Sequence, residues 1–127
     1  MLNEHVTTSD EAGMLARRAL ARSLAGQVAE TTIATAQLVV TELIGGVLRC
    51  EPRPSSPMRL TAERHDSTLR VTVQDEGPER GSSFDCPDDR TPDGMAGRLL
   101  RGLSEAWGFE RVNGATIAWS EIPAAEA

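Results

Sequence analysis

The feature that most constrains the fold is a change of hydrophobic period at residues 51–57. Before it, Ile33, Ala36, Val40, Leu43, Ile44 and Val47 recur at three- and four-residue spacing. That spacing predicts an amphipathic helix over about Glu30–Arg49, with Gln37, Glu42 and Arg49 on the opposite face. After it, Met58, Leu60 and Ala62 alternate with Arg59, Thr61 and Glu63, and Leu69, Val71 and Val73 alternate with Arg70, Thr72 and Gln74. This is the period of strands with one buried face, and His65-Asp66-Ser67 supplies turn residues for a hairpin. The boundary, Glu51 to Pro57, holds three prolines in seven residues. Proline lacks the N–H and clashes with the preceding turn, so the helix ends there. A helix apolar on one stripe and a sheet apolar on one face each require a partner layer. A two-layer α/β sandwich follows.

The rest of the chain fits that frame. Leu15, Ala16, Ala19, Leu20 and Leu24 form a stripe opposite Arg17, Arg18 and Arg22, predicting a first helix over Thr8–Ala25. Thr8 and Glu11 have the spacing of a capping box, and Gly26 sits where a left-handed C-cap belongs. Residues 76–93 contain only Phe84 and Cys86 as apolar residues, and a polar loop of that length is usually functional or disordered. Met95–Trp107 resumes a helical pattern through Leu99, Leu100 and Leu103. Phe109–Val112 and Ala115–Ile122 then flank Asn113-Gly114, the signal of a tight type I′ hairpin. Residues 1–7 and 123–127 read as flexible ends of one domain spanning 1–127, without internal repeats.

Composition narrows the function classes. The 127 residues suffice for one core, and 39% hydrophobic with 25% charged is an ordinary globular balance. The net charge of −6 argues against a nucleic-acid partner, which would need a basic stripe. No apolar run approaches the roughly 20 residues of a membrane span, and the first residues lack the regions of a signal peptide, which points to the cytoplasm. All 13 basic residues are Arg, so lysine-based catalysis is excluded. That bias, with abundant Ala and Gly, also has the look of GC-rich coding, typical of actinobacteria. Cys50 and Cys86 are unpatterned and read as free thiols; His5 and His65, 60 residues apart, suggest no metal site.

Three segments carry chemical information when read together: TELIGGVLRC on the second helix, VTVQDEGP at a strand end, and GMAGRLL opening the third helix. Their order and spacing resemble the GHKL ATPase superfamily of histidine kinases and type II topoisomerases. More closely, they resemble short actinobacterial relatives of the anti-sigma-factor serine kinases. The resemblance runs from about Ala16 to Pro123. In those relatives the helix motif resembles ELVTNAVRH, matched here by Glu42, Leu43 and Arg49; an Asp-x-Gly after a strand is matched by Asp75-Glu76-Gly77. Trp107-Gly108 and the strand Thr116–Trp119 match the family's C-terminal pattern.

The resemblance implies a Bergerat-type fold, with a mixed, mainly antiparallel sheet and helices on one face. It implies an ATP site in which Glu42 orients or deprotonates an attacking hydroxyl, and Asp75 accepts a hydrogen bond from the adenine amino group. Gly77 would let the backbone approach the ring, Thr116 would lie near the adenine, and Arg49 would fall among the nucleotide-binding residues. Gly94 and Gly97 would open a helix N-terminus toward phosphates, with residues 76–93 as the lid.

The pattern breaks at the phosphate end. The family's magnesium-holding asparagine, four residues after the helix glutamate, is Gly46 here. Losing the cation that bridges and neutralises phosphates should weaken binding and transfer. The family's Gly-x-Gly falls on Gly94-Met95-Ala96, with Gly97 following, and its terminal helix histidine is Cys50. Arg98 and Arg101 are candidates for compensating charge. Gly45 and Gly46 each cost about 1 kcal/mol against alanine in a helix interior, and read as a bend or a close approach by the lid. The expected function is a regulatory protein that holds a sigma factor or an anti-sigma antagonist, with magnesium–ATP binding weakened or lost. An active protein serine kinase is the alternative, and a sensor of another small molecule a third. Homologues of this type often dimerise; the sequence marks no interface.

Overall fold

A computed structural model describes residues 1–7, 9–50, 57–75, 95–112 and 115–127, with side chains at all of these except 49, 50, 95–97, 111 and 112. The elements are β1 (Leu2–Val6), α1 (Ala12–Leu24), α2 (Glu30–Cys50), β2 (Met58–His65), β3 (Thr68–Asp75), α3 (Met95–Leu103), β4 (Ala106–Val112) and β5 (Ala115–Pro123). The strands form one sheet in the order β1-β2-β3-β5-β4. Among the described residues every pair is antiparallel, so the sheet there is antiparallel throughout rather than mixed as the resemblance implied.

The helix-facing side of the sheet follows the alternation in the sequence. Met58, Leu60 and Ala62 of β2, Leu69, Val71 and Val73 of β3, and Ala118 and Ile122 of β5 are buried. Against them lies α2, whose Ala36, Val39, Val40, Leu43 and Val47 are all fully buried. Each large apolar side chain so buried contributes about 1.5–3 kcal/mol. By length and composition α2 could cross a membrane, but its apolar stripe lies in this core. On its flank α1 buries Ala16, Ala19, Leu20 and Leu24, and the Gln37 amide donates to the Arg17 carbonyl at 3.1 Å.

Three segments differ from expectation. Residues 1–7 are not a flexible lead: β1 pairs with β2, and Leu2 and Val6 are buried. The strand was invisible because LNEHV has apolar residues only at its ends. The first helix begins at Ala12, not Thr8. Ser9 Oγ accepts from the Glu11 N–H at 3.2 Å, and Glu11 takes the N-cap position without a side-chain cap, replacing the expected capping box; Thr8 itself lies outside the described residues. Gly26 does take positive φ, 77°, as expected after the helix.

The third helix stops at Leu103 rather than Trp107, because Trp107 and Phe109 alternate as strand residues facing the core. On the other face Trp119 lies across its partner Gly108, where an added Cβ would come within 3.0 Å of the indole Nε1. The Arg70 guanidinium stacks 4.3 Å above the Trp119 ring, so both tryptophans are sheet-packing residues.

The C-terminal residues are also tied down. Ala124 is buried, and its N–H donates to the Ser67 carbonyl at 2.7 Å. The Ala125 carbonyl accepts from the Ala29 N–H at 3.0 Å, and the Ala125 N–H donates to Thr32 Oγ1 at 3.0 Å. Ending the chain at Pro123 should therefore lower unfolding free energy by about 1–3 kcal/mol, since buried Thr32 loses its hydrogen bond and Ala124 leaves the core. Urea titration of the shortened chain checks this; an unchanged midpoint would restore the flexible-tail reading.

Candidate functional site

The residues assigned to adenine recognition come together. Asp75 ends β3 and stands directly opposite Thr116 of β5 in the ladder. Both lie on the helix-facing side and are buried, at 2% and 0% exposure. The alternation that buries Val71 and Val73 carries Asp75 into the same row, so an ionisable group sits where an apolar one would be expected. Both residues have interactions within the protein.

Glu42 occupies a different place. It is half-buried on α2 and lines a groove of about 660 Å³ with Arg17 of α1, Leu99 of α3, and Ala34, Gln37, Leu38 and Thr41 of its own helix. Asp75 and Thr116 do not line this groove. Within it, Arg17 Nη1 donates to Thr41 Oγ1 at 3.1 Å, while the Glu42 carboxylate has no hydrogen-bond or ion-pair partner among the described residues. Leu38 and Leu99 are its exposed apolar walls. Neither they nor Arg17 could be singled out from sequence, because a groove between three helices leaves no linear signature.

Gly46 lies one helical turn beyond Glu42 and is buried. It faces the sheet: a Cβ added there would come within 2.6 Å of Phe109 Cζ. Among the described residues the close approach to Gly46 comes from β4; the lid-like segment expected there lies outside the described residues. Among the described residues position 46 does not fit magnesium, since glycine offers no ligand and its neighbour is an apolar ring.

The remaining candidates are placed only in part. Arg49 is in the last turn of α2, and Ala96 and Gly97 in the first turn of α3, with their side chains outside the described set. Gly77, Gly94, the lid-like segment 76–93, Cys86 and the Asn113-Gly114 turn lie outside the described residues. Arg98 and Arg101 are exposed on α3.

Solved structures match this arrangement. The crystal structure of the RsbU and RsbW domains of Rv1364c from Mycobacterium tuberculosis aligns at a TM-score of 0.68 and 17% identity, over 99% of this chain and 34% of that one. This chain therefore spans about a third of that structure's length. The catalytic domain of the histidine kinase ThkA aligns over 100% of both chains, at a TM-score of 0.51 and 12% identity. The chain has the GHKL ATPase fold. At these identities the likeness concerns the fold alone. No family model and no curated protein matches the sequence.

The environments of the two carboxylates predict opposite responses. Glu42→Ala should change stability by less than about 0.5 kcal/mol, since the half-buried carboxylate has no partner among the described residues. Asp75→Ala should cost about 1–3 kcal/mol by removing a buried carboxylate together with its interaction in the protein. Guanidinium melts of both variants check this; equal losses would make Glu42 a structural residue.

Proposed function

We propose that this chain is a regulatory protein of the anti-sigma-factor, serine-kinase-like type that works mainly by holding a partner protein. In this reading magnesium–ATP binding is weakened or absent. The observation that carries it is Gly46, which leaves the phosphate end of a GHKL fold without a metal ligand. The RsbU- and RsbW-containing neighbour supports partners of the partner-switching kind. A sigma factor or an anti-sigma antagonist domain is the partner class proposed.

The active-kinase reading retains one specific support. Glu42 is half-buried in an open groove and has no partner among the described residues, as a general base would need to be. Without a cation on the phosphates, however, the carboxylate has no positioned electrophile to work on.

Two measurements separate the readings. Titration calorimetry with ATP and Mg²⁺ should give no saturable heat below about 1 mM nucleotide, an affinity of about 4 kcal/mol. Affinity capture from the native host should recover a sigma factor or antagonist domain in the same yield with and without added nucleotide. Tight magnesium-dependent ATP binding, with phosphate transfer to a captured partner's serine, would establish the kinase instead.

A further inference from the structure

Position 46 is explained by its contact, not by its helix. Gly46 sits inside α2, where glycine is the least favourable residue apart from proline. The strand opposite supplies the reason. An ideal Cβ on Gly46 would overlap the Phe109 ring, 2.6 Å from Cζ, 3.3 Å from Cδ1 and closer still to Cε1. Real carbon atoms do not approach so closely, so either the ring or the helix would have to move.

The ring is not free to swing aside without cost. Phe109 packs against the core and meets Trp107 edge-on, with centroids 6.2 Å apart and planes at 80°. Its register partner on β5 is Ala118, fully buried. A large residue on β4 thus faces small ones on α2 and β5. Interiors tolerate such large-for-small exchanges when total volume is kept.

We infer that Phe109 fills the space a metal-ligating side chain at position 46 would need, so that Gly46 and Phe109 are a matched pair that leaves no room for such a ligand. The inference rests on reading the pocket as a former nucleotide site, as above. It also assigns Phe109 a part that nothing in the motif pattern gives it. Reinstating asparagine at position 46 is then insufficient: the ligand returns only if the ring is made smaller as well.

Four variants test this: Gly46→Ala, Gly46→Asn, Phe109→Val, and Gly46→Asn with Phe109→Val. Gly46→Ala asks the steric question with one methyl, and should lower Tm by about 4–10 °C despite alanine's better helix propensity. Gly46→Asn should lose at least as much and gain no magnesium-dependent ATP binding by calorimetry. The double variant should recover at least half of the Tm loss, and bind ATP at least about ten-fold tighter with Mg²⁺ than without. A Gly46→Ala or Gly46→Asn protein as stable as the parent would overturn the pairing. A well-folded double variant without magnesium dependence would show that something other than Phe109 closes the site. The parent protein's own ATP titration decides the functional reading separately. Tight binding there would sink the non-nucleotide reading while leaving the Tm coupling to be judged by itself.

Discussion

The interaction on which the rest of this structure depends is the burial of the α2 stripe against one face of the antiparallel sheet. Val39, Val40, Leu43 and Val47 are wholly excluded from solvent, as are Leu69, Val71 and Ala118 beneath the helix layer. The same contact sets the rotation of α2 about its axis. With that stripe against the sheet, Glu42 falls at the edge of the core facing a groove, and Gly46 falls one turn on, against β4. The placement of the candidate site residues is therefore a by-product of hydrophobic packing. Altering the stripe would displace them together.

Much of this was legible because the elements concerned are long and strongly periodic. The core helix and the β2–β3 hairpin follow from six apolar residues each at unambiguous spacing, bounded by a proline-rich break and a turn. The two-layer architecture then needs no further information. What was not legible depends on partners distant in sequence. Strand β1 carries Asn3, Glu4 and His5 between its two buried ends and exists because the β2 edge offers a ladder. The C-terminal segment is polar or small, and is held by Ser67, Ala29 and Thr32.

The candidate site shows the same division. The pairing of Asp75 with Thr116 was foreshadowed by two strand segments matching one family's pattern, and the ladder puts them opposite one another. The groove beside Glu42 had no such signal, because Arg17, Leu38 and Leu99 come from three helices whose packing no spacing reports. Gly46 was visible as an anomaly of helix propensity, but the ring of Phe109 against it had no signal in the sequence. Local reasoning can identify that a glycine is out of place. It cannot say whether a lid, a bend or a strand residue fills the room it leaves.

That distinction bears on the proposed reading of position 46 as a lost metal position. A site that had merely dropped its ligand would leave a gap lined by the old neighbours, and a void of that kind costs stability until something fills it. Here the neighbouring strand supplies a phenyl ring at the position, anchored by Trp107 and by the small residue Ala118. Once the ring is in place, glycine at 46 is a packing requirement rather than a weakness in the helix. In the proposed reading, the packing of this end of the core and the loss of a metal ligand rest on the same contact. A single reversion on α2 works against the core, because the two positions exchange volume and neither can change alone.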